Sequence, residues 1–445
     1  MSFFRGGIHP ADSKKDTKDK PIVEVSPGKE LVFPMSQHIG APALPLVQKG
    51  DSVFMGQVIG QASGGVSANV VSSVSGIVKA VEPRLLFNGS KSLSVVIEND
   101  TLDTPVEGFG VTRDYTAMSR EDILQAIMKA GIVGMGGACF PTHVKLSVKS
   151  PEAVEYILVN GSECEPFLTS DYRIMLEKPE KIIAGLQILL FLFPNAQGII
   201  CVEDNKPAAV AKLHQLAENN NRIRVLTNRT KYPQGAERML IYSATGRKMN
   251  SSMLPIDAGC LVHNIDTVVS IYYAVCESIP LIRRTVTVAG DAVQSPGNFD
   301  VRLGTDLEWL VNAAGGLYQH PKKILSGGPM MGTALSTLKA PVTKNATAVL
   351  AICRDEVSET PATACIRCGR CVSHCPERLM PQKLAALAEQ GAWEEFEHYY
   401  GMECFSCGCC SYSCPAKRPL SQMITAARMK CLQLRRQTQQ EGKQS

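Results

Sequence analysis

Cys365-Ile-Arg-Cys-Gly-Arg-Cys-Val-Ser-His-Cys-Pro376 and Cys404-Phe-Ser-Cys-Gly-Cys-Cys-Ser-Tyr-Ser-Cys-Pro415 share one spacing, C-x2-C-x2-C-x3-C-P. Three thiolates two residues apart wrap a tight turn around one face of an iron–sulfur cubane. The fourth, turned away by its proline, reaches a second cluster. The spacing therefore predicts two [4Fe–4S] clusters, one on Cys365, Cys368, Cys371 and Cys414, the other on Cys404, Cys407, Cys410 and Cys375. Cys409 falls outside the pattern. Zinc ribbons use pairs of C-x2-C rather than two proline-closed runs of four. A disulfide framework needs an oxidising compartment, and the N-terminus carries nothing that reads as a secretion signal.

Eleven of the 16 cysteines follow residue 350, so cysteine usage marks one module within a chain of 445 residues. That length suits about three domains, or four if some are small. With 44% hydrophobic and 20% charged residues, the composition is that of a globular protein. A net charge of +4, without a basic stripe interleaved with aromatics, argues against a nucleic-acid partner. The longest apolar stretch, Ile182–Phe193, stops at Pro194, too short to cross a bilayer and suited to a buried helix. Any membrane association is then expected to run through a partner.

The expected architecture is multidomain α+β. Residues 1–28 read as an N-terminal arm, polar from Asp12 to Lys20. Residues 29–105 alternate short strands with turns, and Lys49-Gly-Asp51 leading to Ser75-Gly-Ile-Val-Lys79 resembles a lipoyl-carrier-like barrel-sandwich hybrid. No lysine stands at the hairpin tip, where Val74 and Ser75 precede the glycine, so a scaffold is expected rather than a carrier. Residues 110–275 alternate helices with apolar strands, the pattern of a Rossmann-like α/β domain with a parallel sheet. Its helices are expected from Ser119 to Ala130, Pro179 to Phe193 and Lys206 to Glu218. Residues 280–340 read as a small β-grasp, with a strand at Thr285–Ala289, a turn at Gly297-Asn-Phe299 and a helix at Leu307–Ala313. Pro341 to Pro361 is expected to be a connector. Residues 355–430 form a helical two-cluster domain of ferredoxin type, and 431–445 a solvated tail.

Within the α/β domain, Gly131-Ile-Val-Gly-Met-Gly-Gly-Ala-Cys-Phe-Pro-Thr-His-Val-Lys145 offers amides unobstructed by side chains at Gly134, Gly136 and Gly137, with Lys145 nearby for an anion. A strand ending in Asn160-Gly-Ser-Glu-Cys-Glu-Pro166 would deliver Asn160, Glu163 and Glu165 at its C-terminal end, where parallel sheets bind ligands. These side chains can accept hydrogen bonds from ribityl or ribose hydroxyls.

The glycine stretch resembles the flavin loop of the NADH-oxidising subunit of respiratory complex I. Asn160–Pro166 resembles that family's acidic loop, and Val262-His-Asn-Ile-Asp-Thr267 a third motif lining the flavin. Together with the opening Phe3-Phe-Arg-Gly-Gly-Ile-His-Pro10 and the order of modules, residues 1 to about 430 resemble the C subunit of the Rnf (Rsx) ion-translocating oxidoreductase complexes. The resemblance implies FMN held by Gly134, Gly136, Gly137, Lys145, Asn160 and Asn264. It places Phe140 by the nicotinamide and Glu163 and Glu165 in contact with NADH. Ser162 and His263 stand where relatives of complex I often carry aspartate and asparagine. The implied activity is electron passage between NAD(H), FMN and two [4Fe–4S] clusters. The protein would lie peripherally at the cytoplasmic face of the bacterial inner membrane, beside the membrane and iron–sulfur subunits of the complex and, indirectly, ferredoxin. No side chain is expected to act as acid or base. Two rivals are a cobalamin reductase-like flavoprotein, which shares the flavin loop and cluster runs, and a non-catalytic relay with an empty nucleotide pocket. The alanine- and lysine-rich extension of some family members is absent from this sequence.

Overall fold

The computed structural model describes residues 4–355 and 359–444, and the chain divides into two units. One comprises residues 12–229 and 259–354; the other collects 4–11, 230–258 and the cysteine-rich segment from 355 onward.

The larger unit contains a four-stranded parallel sheet in the order Ile223–Asn228, Gln197–Glu203, Tyr156–Gly161, Cys260–Asn264. The chain moves outward from Tyr156–Gly161 in one direction and then returns to its other side. This reversal puts a topological switch point between Tyr156–Gly161 and Cys260–Asn264, where such sheets open a ligand crevice. Helix Arg120–Lys129 starts at a full capping box, Ser119 with Asp122, as the sequence predicts. Helices Pro179–Leu192 and Ile265–Cys276 approach so closely at Gly185 that a Cβ there would lie 2.2 Å from the Val268 carbonyl oxygen.

Two small antiparallel sheets form the barrel-like scaffold of residues 30–99. Gly76 sits where a Cβ would be 2.0 Å from the Glu98 carbonyl oxygen, so the hairpin tip is shaped by backbone packing. The fourth sheet of this unit is six-stranded and mixed, in the order Ile22–Val25, Gly297–Arg302, Arg283–Ala289, Ala348–Ile352, Lys323–Ser326, Thr333–Ala334. It corrects two expectations. Gly297-Asn-Phe299 is the start of a strand rather than a turn, because Asn298 is fully buried and its Oδ1 accepts from Thr169 and Thr287 hydroxyls. Ala348–Ile352, expected in a connector, is an interior strand whose Ala348 and Leu350 pack with Leu168 and Leu325. The predicted helix Leu307–Ala313 is present, capped by Asp306. The stretch expected to be an extended arm supplies the edge strand Ile22–Val25 and two buried polar residues, Lys14 and Thr17.

In the smaller unit, the backbone repeats with the 39-residue offset that separates Cys365 from Cys404. Arg367, Gly369 and Arg378 have positive φ, and so do their equivalents Ser406, Gly408 and Lys417. Each glycine starts a short helix, Arg370–Ser373 or Cys409–Tyr412. Each run is followed by a longer helix, Pro381–Gln390 or Leu420–Gln444, with starts separated by the same offset. Their apolar faces enclose Leu384, Leu387, Phe396, Ile424, Ala427 and Cys431. Cys431 is buried in this core, so the final helix runs straight through the expected domain boundary at residue 430. The segment Thr230–Ala258, expected within the α/β domain, belongs to this unit.

Candidate functional site

Asn160 and Asn264 stand near the C-terminal ends of the two strands flanking the switch point and lie opposite one another in register. The glycine loop crosses above them: a Cβ on Gly136 would stand 3.3 Å from Asn264 Cβ, whereas one on Gly137, at φ +130°, would meet nothing within 4 Å. The loop is closed by the Gly134 amide donating to the Phe140 carbonyl at 2.8 Å and is fastened from below by the Met135 amide donating to Thr267 Oγ1 at 2.9 Å. Its outer rim therefore offers backbone without side chains at the position where a doubly wound sheet takes its ligand.

Asn264 caps helix Ile265–Cys276, accepting from the Asp266 amide at 2.9 Å, and its Nδ2 donates to Asp171 Oδ2 at 2.7 Å. Asn160 Oδ1 accepts from the Ser162 amide at 3.1 Å. Lys145 reaches the same strand from outside, Nζ donating to the Val262 carbonyl at 2.9 Å. Ser162 Oγ and His263 Nε2 are buried and without a hydrogen-bond partner among the described residues. Burial, with Lys145 as a lesser cause, pushes His263 down to about 3, so its imidazole is neutral.

Both acidic residues of the loop are engaged internally. The Glu163 carboxylate accepts from the Asp171 amide at 2.8 Å and the Tyr172 amide at 3.3 Å, anchoring helix Ser170–Glu177, and forms an ion pair with buried Lys14 at 3.8 Å. Glu165 accepts from the Met330 and Met331 amides at 3.0 and 2.9 Å.

Three supporting residues carry no signal in the sequence. Burial, reinforced by Glu163 and Asp266, raises Asp171 to about 7. Arg284, buried, donates to Asp266 at 2.7 Å, to the Ala346 carbonyl at 3.0 Å and to the Met135 carbonyl at 3.3 Å, tying the glycine loop to the mixed sheet. Lys344 Nζ bonds the Gly131 carbonyl at 2.7 Å and that of Asn69, and burial lowers it to about 7. Their partners lie far away in sequence, so no local motif could mark them.

The cysteine-rich unit holds its own candidate site. Burial raises the Cys371 thiol, and the nearby Cys414 and Cys365 add to the effect. Cys375 is raised to about 12 by burial, with Cys407 and Cys404 contributing. Cys410 in turn lies among Cys407, Cys404 and Cys375. Cys375 thus neighbours Cys404, Cys407 and Cys410 of the other run, and Cys414 neighbours Cys371. Among the described residues no three His, Cys, Asp or Glu side chains converge as they would on a single metal ion. Cys365 and Cys368 are exposed, Cys371 and Cys410 buried, and the other four half-buried. Cys409, outside the spacing, is fully buried.

The opening glycines serve this unit. The Gly7 amide donates to the His374 carbonyl at 2.8 Å, and a Cβ on Gly6 would lie 2.4 Å from the Cys375 carbonyl oxygen. Tyr232 Oη donates to the Cys407 carbonyl at 2.7 Å, and Arg238 pairs with Glu377 and Glu403 at 3.2 and 3.0 Å. Both cysteine loops are therefore gripped by residues more than a hundred positions away.

The sequence matches three family models: the RnfC barrel sandwich hybrid domain over residues 2–102, the Nuo51 FMN-binding domain over 127–273 and the SLBB domain over 285–334. It is 44% identical over 403 residues to the C subunit of the proton-translocating ferredoxin:NAD(+) oxidoreductase complex of Clostridium ljungdahlii, covering 90% of this chain and 88% of that one. It is 40% identical over 436 residues to the C subunit of the Na(+)-translocating ferredoxin:NAD(+) oxidoreductase complex of Acetobacterium woodii, covering 97% and 98%. Among solved structures, an NAD+-reducing [NiFe]-hydrogenase in its H2-reduced state is similar with a TM-score of 0.50 at 19% identity, covering 72% of this chain and 61% of that one, a likeness of fold alone.

Proposed function

Because the chain belongs to the C-subunit family of the ion-translocating ferredoxin:NAD(+) oxidoreductase (Rnf) complexes, we propose that it is the peripheral electron-input subunit of such a complex. It passes electrons between NAD(H), FMN and two [4Fe–4S] clusters. The observation that supports this reading is the bare glycine rim lying over Asn160 and Asn264 at the switch point, in a chain where Cys375 also lies near Cys404 and Cys407, and Cys371 near Cys414.

The residues present suit FMN. Gly136 and Gly137 offer backbone amides on a loop that Gly134 closes with its own amide, Asn160 and Asn264 offer side-chain amides, and Ser162 Oγ and His263 Nε2 are buried polar atoms without a hydrogen-bond partner among the described residues. FMN, when bound, supplies the means of exchanging a hydride pair on one side and single electrons on the other. The protein's own part is positional. Lys145 and Arg284 fix the strand and the loop, Asp171 holds the Asn264 amide, and neutral His263 adds no charge beneath the site. Phe140 would offer its ring to the nicotinamide, and Glu163 and Glu165 would contact the nucleotide. The cluster ligands are the two crossed sets, Cys365, Cys368, Cys371 with Cys414 and Cys404, Cys407, Cys410 with Cys375. No described helix is long and apolar enough to cross a membrane, so attachment falls to the membrane and iron–sulfur subunits of the complex. We place the protein on the cytoplasmic face.

One observation favours a non-catalytic relay instead: both loop carboxylates are already engaged internally. The same experiment separates the readings. The full chain is purified anaerobically, iron and flavin are quantified, and NADH is added under an absorbance scan. Iron and FMN both present, with NADH bleaching both chromophores, is the expected result. Iron without flavin or bleaching would establish the relay, and zinc in place of iron after anaerobic reconstitution would overturn the cluster assignment.

A further inference from the structure

The cysteine-rich unit folds the same loop twice and covers one copy. Every residue from 401 to 409 is buried or half-buried. Thr230–Ala258 supplies the cover. Tyr232 Oη donates to the Cys407 carbonyl at 2.7 Å, and the Ser251 amide and hydroxyl donate to the Glu403 carboxylate at 2.7 and 2.6 Å. In the equivalent stretch of the first copy, every residue from 362 to 370 is exposed. Among the described residues, one hydrogen bond ties that stretch to a distant part of the chain, from the Thr363 amide to the Ala416 carbonyl at 3.0 Å.

The bare copy has the make-up of an interface. Ile366 is 66% exposed, with Ala362 and Ala364 close to it in the chain and exposed as well. Arg367 and Arg370 are exposed, and neither forms an ion pair among the described residues. From Thr360 to Pro376 the sequence carries no Asp or Glu. The carboxylates that flank it are Glu359 and Glu377, the latter paired with Arg238 at 3.2 Å. Apolar and arginine side chains with few carboxylates are what the centres of protein interfaces are made of. Loop geometry does not demand the arginines. Ser406 and buried Cys409 hold the equivalent positions, and Ser406 at φ +62° repeats the left-handed turn of Arg367 at +54°. A second set of cysteines on the same loop thus does without these charges.

We propose that residues 362–370 are the docking surface for an acidic one-electron carrier protein, whose carboxylates meet Arg367 and Arg370 around Ile366. The inference rests on the reading of Cys365, Cys368, Cys371 and Cys414 as a cluster site, and adds which of the two sets faces a partner. Opposite charge steers such an encounter and fixes its register, and salt weakens it.

The test uses the full chain, purified anaerobically with its iron quantified. Binding of an acidic [2Fe–2S] ferredoxin is followed by biolayer interferometry at low and high salt, with cytochrome c as a basic one-electron carrier for comparison. Saturable binding of the ferredoxin and not of cytochrome c is expected, with hydrogen exchange slowed across residues 362–370. Arg367→Glu combined with Arg370→Glu should weaken binding by about tenfold or more with iron retained. Lys49→Glu combined with Lys91→Glu, the same change of charge on the exposed scaffold, should leave it unchanged. An iron-loaded chain that fails to bind the ferredoxin, prefers cytochrome c, or binds equally well as the double arginine variant overturns the proposal and leaves the cluster reading standing. So does concentration-dependent protection of 362–370 in the chain alone, which would make a second copy the occupant. An iron-free chain after reconstitution overturns both. If the double arginine variant loses its iron, the exchange footprint on the unaltered chain decides, and protection outside 362–370 sinks the assignment.

Discussion

Gly6 is the clearest single residue at which backbone chemistry governs a candidate cofactor site. At φ +76° an L-side chain costs ~1–2 kcal/mol, and its Cβ would also lie 2.4 Å from the Cys375 carbonyl oxygen. Gly6→Ala should therefore lower stability by more than ~2 kcal/mol and reduce the iron retained per chain after gel filtration. Full iron content with an unchanged melting temperature would show that the opening glycines do not brace the cysteine loop. Asp171 gives a prediction in pH. Its carboxyl stands at about 7 in the folded chain against an ordinary 3.8, so between those values the folded state holds a proton that the unfolded state has released. Stability contributed by this group falls as pH rises from about 4 to about 7. Asp171→Asn should flatten that fall and be more stable than wild type at pH 8 by roughly 1–3 kcal/mol, judged by urea denaturation across the range. A wild-type curve no steeper than the variant's would sink the assignment. Cysteines and loop glycines were legible in the sequence because their chemistry is fixed by local spacing. Asp171, Arg284 and Lys344 were not, since each acts only through partners brought near by folding, as Arg284 does with Met135 across 149 positions.

At the level of elements, the repeat in the cysteine-rich unit separates conformational strain from packing. Gly369 and Gly408 occupy equivalent left-handed positions, and a Cβ on Gly369 would meet nothing within 4 Å. Gly369→Ala should thus carry only the left-handed penalty, about 1 kcal/mol, with iron content preserved. A loss as large as that of Gly6→Ala would mean that the short helix Arg370–Ser373 tolerates no change at its start. The helices Arg120–Lys129, Pro179–Leu192 and Pro207–Ala217 were readable to within a residue or two because their apolar periodicity and caps are local, Ser119 with Asp122 being the plainest case. Helices Ser170–Glu177 and Ile265–Cys276 and strand Cys260–Asn264 were not foreseen. The mixed sheet was less readable. Gly297-Asn-Phe299 has turn composition, yet Asn298 becomes a strand residue once Thr169 and Thr287 satisfy its side chain. Ala348–Ile352 is short and apolar, a pattern that fits a buried strand or a connector equally until its neighbours on the sheet are known.

For the whole molecule, the division of the chain matters more than the list of domains. The smaller unit gathers three separate segments, one of them Thr230–Ala258, which connects strand Ile223–Asn228 to strand Cys260–Asn264 of the larger unit's sheet. No composition shift marks that excursion, so a sequence reading keeps it with the α/β domain. Its consequence is thermodynamic. The smaller unit has its own core around Phe396 and Leu384, but its cysteine loops hold several residues at positive φ that metal ligation would offset. Stripping iron anaerobically should therefore remove the calorimetric transition of the smaller unit. The larger unit should persist, since unfolding of Thr230–Ala258 only converts an ordered connection into a flexible one. Loop-closure entropy rises slowly, by about 0.6 kcal/mol for each doubling of loop length, so the larger unit's transition should fall by only a few degrees. Loss of both transitions together on iron removal would instead mean that the parallel sheet depends on the cysteine-rich unit for its stability.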